Sequence, residues 1–550
     1  MRTKRQIVIR ILAAAALGVA SIAGVGSRAA TPKFYPDDPI WHDPETQDAV
    51  NVKPLPISDQ YDYLENSYLG AGDRADKRAL NVNSVDEVPD SSWFTNRIGQ
   101  RAMTDDALAR GPDTGSGPTG TWTIIAAKTE GVTPGFTIRD GAGQVYFVKF
   151  DPPSNPEMAS GAEVIATKFL YAFGYHVPEN YLATLRRDAL VVDPGATVNE
   201  GLRQRRMRAR DVDEVLKKAA QSPDGTYRAL ASKALEGTSV GPFRYHGTRP
   251  DDPNDIFAHE HRRELRGLSV FAAWLNHNDS RAGNTLDTLI RQGGRTILRH
   301  HLIDFGSAFG SGSTRAGSPR AGNEYIWESR PTLITMLTLG LYVRPWVKVE
   351  YPDLPAIGRF ESTYFRPEAW KPEYANVAFL NARPEDRFWA ARIVAAVPEN
   401  AVRTMVKTAQ FSDPHATEYM IDTILARRSK ILKSWLNGTN PIVSPSLQQD
   451  GTLTFTNAAE DAGVGPAADH FTIQWSNVDN ASGALTSIGQ EQTFTERRVQ
   501  APASVISGQA DFVAAQVRAF HPDQPGWSQP LTIYFRRTTA GFTLVGLERG

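Results

Sequence analysis

The chain has no cysteine among its 550 residues. That excludes disulfides, thiolate zinc sites, a cysteine nucleophile and a lipid-anchored N-terminal cysteine together. It has almost no net charge: 61 acids against 60 Lys and Arg give a formal −1. No basic excess of the kind nucleic acid attracts is present. The chain also lacks a second long apolar run. The one such run, Ile11 to Val25, follows a stretch carrying Arg2, Lys4, Arg5 and Arg10 and precedes Ser27-Arg28-Ala29. Residues 1–30 therefore have the layout of a secretory signal peptide, and the run is short for a membrane span. No twin-Arg pair precedes it, so ordinary secretion is the expected route. A secreted or periplasmic bacterial protein, with no transmembrane span after signal removal, is the expectation, since export without cysteine suits the bacterial envelope. What remains is long enough for two or three cores.

Along the chain, residues 31 to about 115 are rich in Pro, Asp and Asn with scattered aromatics, which predicts an irregular extension packed on a larger body. Alternation predicts strands at 122–127, 135–139 and 145–150, the last two joined by a turn at Asp140-Gly141-Ala142-Gly143. The period then changes to helical from Pro156 to Phe173, ended by Gly174. Tyr181 to Val192 reads as further strand, and Tyr227 to Leu235 as helix. A second helical stripe, from His259 to Trp274, runs directly into His277. Leu286–Arg291 and Thr296–Ile303 flank Gln292-Gly293-Gly294-Arg295, a hairpin signal. Beyond Tyr325 the pattern is mostly helical, most clearly over 414–436 with Asp413 as cap and Pro414 in the first turn. After Ile442 short alternating strands predict a separate all-β, sandwich-like module over 443–550.

Two short motifs carry chemistry. His277-Asn278-Asp279-Ser280-Arg281-Ala282-Gly283-Asn284 has the pattern H-x-D-x-x-x-x-N, and Asp304-Phe305-Gly306 follows twenty residues on. The hairpin between them predicts that Asn284 and Asp304 meet at its open end, as shared metal binding requires. With Lys149 in Tyr-Phe-Val-Lys-Phe, Glu163 ahead of Gly174, and Val177-Pro178, the chain resembles the protein-kinase-like superfamily, and within it HipA-like and spore-coat (CotH-like) kinases. The resemblance covers about residues 120–310, with helical material to about 436.

What the resemblance implies is an α/β (α+β) two-lobed fold over 116–438, with a small lobe at about 116–195 and a large lobe at about 255–438. It implies transfer of a phosphoryl group from a Mg2+–ATP complex, or another nucleotide, to an unknown protein or small-molecule acceptor. Lys149 would contact the donor's phosphates, held by Glu163. Lys128 and Gly131 fall in the expected phosphate loop, 128–135. Asp279 would orient and deprotonate the acceptor, and Arg281 would neutralise the transferring group. Asn284 and Asp304 would ligate magnesium through oxygen. His277 would buttress the loop. The chain departs from the family pattern in three places: no G-x-G-x-x-G precedes Lys149, Asn278 stands where the usual loop has Arg, and the 284–304 segment is long. Two other readings stay open: a catalytically silent binding or scaffold protein of the envelope, with the β module contacting the envelope or a polysaccharide, and nucleotidyl transfer by the same residues.

Other signals are weaker. Gly237-Thr238-Ser239-Val240-Gly241 matches G-x-S-x-G but lacks the expected strand–turn–helix context. His259-Glu260-His261 does not have metalloprotease spacing. The run Arg203, Arg205, Arg206, Arg208 and Arg210 reads as a solvated insertion balanced by Asp211, Asp213 and Glu214.

Overall fold

A computed structural model describes residues 31–550 apart from 129–132, 201–202, 313 and 340. The signal-like segment 1–30 and Gly131 lie outside the described residues. Three strands form where alternation placed them: β1 (Trp122–Ala127), β2 (Gly135–Arg139) and β3 (Val145–Phe150). Four more complete a mixed seven-stranded sheet: β4 (Asn180–Leu185), β5 (Leu190–Glu200), β6 (Arg203–Arg206) and β7 (Tyr227–Lys233), in the order β4-β7-β3-β2-β1-β5-β6.

Two expectations fail here. Tyr181–Val192 is not one strand, because a 3-10 turn at Arg187–Ala189 separates β4 from β5, which runs parallel to β1. Tyr227–Leu235 is not helical. Its Leu and Ala residues suit a helix locally, but β7 is hydrogen-bonded on both sides, to β3 and to β4, and sheet pairing overrides that propensity. The G-x-S-x-G match has no nucleophile geometry either, since Thr238–Ser239 is a short edge strand, β8, paired with the next hairpin.

The helix Met158–Phe173 packs its buried residues into the main apolar cluster and ends at Gly174, whose φ is +129°. A Cβ there would meet the Phe94 ring at 2.3 Å, so glycine is required on two counts. Asp151, just past β3, fixes the helix's first turn by accepting from Ser160 N at 2.8 Å and Ser160 Oγ at 2.5 Å. The basic run is partly strand and partly helix; Arg205 pairs with Asp211 at 2.8 Å, whereas Asp213 pairs with Arg187 and Glu214 with Lys217, both outside the run, at 2.6 Å.

The helix Arg263–Leu275 is buried along nearly its whole length and ends on Asn276 in the left-handed conformation, which Asn tolerates. Then β9 (Thr285–Gln292) and β10 (Arg295–Leu302) form the expected hairpin, with Thr285 opposite Leu302. Farther on, Pro384–Ala395, Glu399–Lys407 and Pro414–Trp435 are helices; Asp413 caps the last by accepting from His415 N at 2.8 Å. The C-terminal strands are β11 (Ile442–Leu447), β12 (Thr452–Asn457), β13 (His470–Val478), β14 (Leu485–Phe494), β15 (Arg498–Gln500), β16 (Phe512–Phe520), β17 (Leu531–Thr538) and β18 (Gly541–Arg549). They make a three-stranded sheet, β11-β12-β15, and a five-stranded antiparallel one, β14-β13-β16-β17-β18. A single buried cluster runs from the helices through Leu436 and Ile442 into these strands.

The N-terminal extension is irregular apart from short helical turns, among them Asp59–Leu64 and Asp105–Arg110. It is fastened throughout. Phe34 packs on Phe512 and Tyr534, Trp93 stacks on His300 at 3.5 Å, and Asp86 pairs with buried Arg263 at 2.8 Å. Among the described residues no helix is long and apolar enough to cross a membrane.

Candidate active site

Lys149 lies central in β3, and Glu163 sits one and a half turns into the helix that Asp151 anchors. Their meeting follows from that packing: Lys149 Nζ is 3.2 and 3.0 Å from the two Glu163 carboxylate oxygens. The same ammonium donates to Asp304 Oδ1 at 2.8 Å. Burial disfavours the Lys149 cation, but the Glu163 and Asp304 charges outweigh it and hold the ammonium above its usual range. Burial pushes the Glu163 carboxyl up, with Lys149 opposing and Asp304 adding to the rise. For Asp304, burial likewise opposes the charge, yet Lys149 prevails and the carboxyl lies below its ordinary range. The Asp304 side chain is 48% exposed, with one carboxylate oxygen on Lys149.

The hairpin delivers Asn284 beside Asp304. Ile303 N donates to the Asn284 carbonyl at 3.0 Å, closing the open end of β9 and β10. Asn284 Nδ2 donates to the Asp279 carbonyl at 2.7 Å, which leaves Oδ1 as its acceptor atom. Asp304 itself has φ +59°, a conformation costing roughly 1 kcal/mol or more for an L-residue and concentrated at functional sites. Behind it Phe305 is fully buried, edge-on to the His277 ring at 5.6 Å.

Asp279 and Arg281 face each other, Nε to Oδ1 at 2.8 Å, and Arg281 also lies 3.7 Å from Asp59 and 3.9 Å from Glu373. Lys128, Lys149, Glu163, Asp279, Arg281, Asn284 and Asp304 all line one cavity of about 220 Å³. The structure therefore brings together every sequence-predicted site residue within the described chain. Lys128 reaches the cluster from just past β1, where its N–H donates to the Gly135 carbonyl at 3.2 Å.

Several site neighbours carry no sequence signal. Glu373 N donates to the Asn278 carbonyl at 2.7 Å, and burial, with Asp279's charge next, raises the Glu373 carboxyl. Tyr374 Oη donates to buried Asp62 at 2.5 Å, and Asp59 sits 2.6 Å from where a Gly283 Cβ would be. These residues lie far from the motifs in sequence and belong to no recognisable pattern; only folding brings them to the 277–284 loop. The His259-Glu260-His261 segment is structural, with His259 on Asp255 at 2.7 Å and His261 on Arg266 at 2.6 Å. Among the described residues no cluster of three or more His, Asp or Glu is arranged to hold a metal. A cation here would take Asp304 and Asn284 oxygens and complete its shell from phosphates and water, which suits magnesium.

Buried imidazoles give a pH prediction. Burial holds His277 below its usual range despite the nearby Asp279 and Asp304, and holds His301 down to about 3. His301 therefore stays neutral in the folded chain, while in the unfolded chain it protonates below about pH 6.5. The unfolded state then binds more protons, so stability rises with pH up to that value and falls below it. His301 contributes up to about 1.4 kcal/mol per pH unit in that window, and His277 shifts stability in the same direction. Urea midpoints should drop between about pH 7 and about pH 5, and less so in His301→Gln. Equal midpoints at both pH values would contradict this account.

No family model and no curated protein matches the chain. Among solved structures it is similar to the Helicobacter pylori proinflammatory kinase CtkA, at 14% identity over 56% of this chain and 94% of that one, with a TM-score of 0.27. The Golgi casein kinase with Mn/ADP bound aligns at 9% identity over 60% of this chain and 78% of that one, TM-score 0.29. Another structure of the Golgi casein kinase aligns at 8% identity over 72% and 96%, TM-score 0.29. Overlap at this level leaves the site's own geometry as the ground for a functional reading.

Proposed function

We propose that the chain is a kinase-like phosphotransferase that moves a phosphoryl group from a magnesium–nucleotide complex, ATP or another, to a protein or small-molecule acceptor. One observation carries this reading: Lys149 sits 3.0 Å from Glu163 and 2.8 Å from Asp304, above a cavity that Asp279 and Asn284 also line. A fixed ammonium, two oxygen ligands and a separate carboxylate are the parts phosphoryl transfer needs, because its catalysis is mostly positioning and charge neutralisation. Lys149 would hold the donor's phosphates and Asp304 with Asn284 the metal. Asp279 would accept the proton of the attacking group, and Arg281 would offset charge on the group in transit. Magnesium, when bound, would neutralise the phosphate oxygens.

The same proposal takes β1–β7 with the helix Met158–Phe173 as a small lobe, the helices from Arg263 on as a large lobe, and β11–β18 as a sandwich-like module that contacts the envelope. It takes the family to be HipA-like or CotH-like, and the chain to be exported on the strength of its N-terminal layout.

Thermal stability with and without Mg-ATP tests the donor site. At a hundredfold excess over Kd, a ligand adds about 2.7 kcal/mol. That gain should require magnesium and vanish in Asp304→Ala. Mass spectrometry of the incubated protein then separates the chemistries. A gain of phosphate supports transfer, a gain of nucleoside monophosphate supports nucleotidyl transfer, and absence of any nucleotide-dependent stabilisation leaves a silent binding module.

A further inference from the structure

Asp279 and Ser307 line two cavities at once. The first is the cavity of about 220 Å³ that Lys149, Asn284 and Asp304 share. The second, of about 200 Å³, is lined by Asn278, Ser311, Ser318, Arg320, Glu324 and Glu373. The chemistry proposed above uses the first and leaves the second without a role. Its walls come from stretches far apart in sequence and are hydrogen-bonded to one another. Glu373 N donates to the Asn278 carbonyl at 2.7 Å, Ile326 N to the Glu373 carbonyl at 2.8 Å, and Arg320 Nη1 to the Ile326 carbonyl at 2.9 Å.

Ser311 marks this second cavity as a binding site. Its side chain is only 5% exposed, yet among the described residues its Oγ has no hydrogen-bond partner. Burying a hydroxyl unpaired is costly, and a ligand hydroxyl, which both donates and accepts, would satisfy it. Ser307 Oγ, on the shared wall, is unpaired in the same way.

Charge and size narrow the ligand. Three acids line the cavity, and each has an arginine. Glu324 is held by Arg344 at 2.7 Å, Asp279 by Arg281 at 2.8 Å, and Glu373 lies 3.9 Å from Arg281 with Arg320 also acting on it. Asp59 draws on Arg281 too, at 3.7 Å, from outside the cavity. A charged ligand of either sign would disturb one of these pairings, whereas an uncharged one leaves them intact. The volume of about 200 Å³ equals that of about seven liquid waters and lies below the range of drug-sized pockets. Polar groups on Asn278, Ser311, Ser318, Arg320 and Glu373 around so small a space are more than a single seryl hydroxyl could use.

We propose that the second cavity is the acceptor subsite and takes a small, uncharged polyol, one hydroxyl against Asp279 and others against Ser311 and Glu373. This rests on the phosphotransferase reading and narrows its acceptor. In the transfer, the polyol oxygen bonds to the terminal phosphorus of the nucleoside triphosphate. The bond from that phosphorus to the bridging oxygen breaks, its electron pair leaves on the nucleoside diphosphate, and Asp279 takes the hydroxyl proton.

Turnover of the full chain with Mg-ATP and, one at a time, glycerol, erythritol, ribose and glucose tests this, read as ADP release and polyol monophosphate. At least one of the four should raise ADP release about tenfold or more over water alone. Ser311→Val and, separately, Ser318→Leu should raise KM for that polyol about tenfold, as expected for one lost hydrogen bond. Ser318 is exposed, so its replacement carries little risk to folding. Mg-ATP should stabilise both variants as it does the parent chain. An unchanged KM in both overturns the placement of the polyol here. Stabilisation by Mg-ATP with no monophosphate of any of the four overturns the acceptor assignment alone, whereas absence of that stabilisation overturns the phosphotransferase reading and this inference with it. Faster turnover on ethanolamine or glycerate, charged alcohols of similar size, overturns the uncharged class. Faster turnover on a seryl peptide overturns the small-molecule one.

Discussion

Asp279→Asn is expected to lower phosphoryl transfer by about 10²- to 10⁴-fold while leaving nucleotide-dependent stabilisation intact, since general-base groups contribute on that order. The substitution removes a proton acceptor and the charge that Arg281 faces at 2.8 Å. The loop is held by atoms an asparagine keeps: the residue 279 carbonyl accepts from Asn284 at 2.7 Å, Ser280 Oγ donates to the His277 carbonyl at 2.9 Å, and Asn376 donates to the Ser280 carbonyl at 3.1 Å. Arg281 retains Asp59 and Glu373 as neighbours. A turnover assay alongside the thermal-shift measurement separates lost chemistry from lost binding. Full turnover in Asp279→Asn would remove Asp279 from the mechanism.

The largest effect on stability is expected at Asp386, well away from the cavity. Its two carboxylate oxygens accept from Arg263 Nε at 3.0 Å and Arg266 Nη1 at 3.1 Å, and all three side chains are wholly buried. The two arginines continue outward to the Asp86 and Lys77 carbonyls, at 2.6 and 2.9 Å, and so tie the N-terminal extension to the helix that leads into the 277–284 loop. Asp386→Ala leaves two guanidinium groups in the core with one countercharge fewer. Breaking a buried pair in this way costs about 3–5 kcal/mol. Urea unfolding measures it, with replacement of Asp386, Arg263 and Arg266 together by apolar residues as the comparison; that variant should recover much of the loss, because both buried guanidinium groups are gone and Asp86 keeps Arg78 at 3.0 Å. A loss below about 1 kcal/mol in Asp386→Ala would mean that water or other carbonyls satisfy the arginines.

This network also shows why sequence reading reached only part of the molecule. Arg263 and Arg266 look like solvent-facing helix residues, since Arg is seldom fully buried. Their partners lie in the extension and in the helix starting at Pro384, and nothing local announces either. Glu373 is invisible for the same reason: it contacts the 277–284 loop through a fold that brings residues about ninety apart together.

What the sequence determined by itself is local. Period-two alternation gave β1, β2 and β3, capping and spacing gave the helix Pro414–Trp435, and a Gly-Gly turn gave the hairpin that carries Asn284 and Asp304. The order of Lys149, Glu163, Asp279, Asn284 and Asp304 is readable from the spacing of their motifs and from the strand, helix and hairpin that carry them. Tertiary structure alone decided that β7 is a strand, because its pairing partners lie far along the chain. It alone decided that Lys149 bridges two carboxylates and that the extension braces the loop. Both depend on which surfaces bury one another, and burial is a property of the assembled chain rather than of any segment in it.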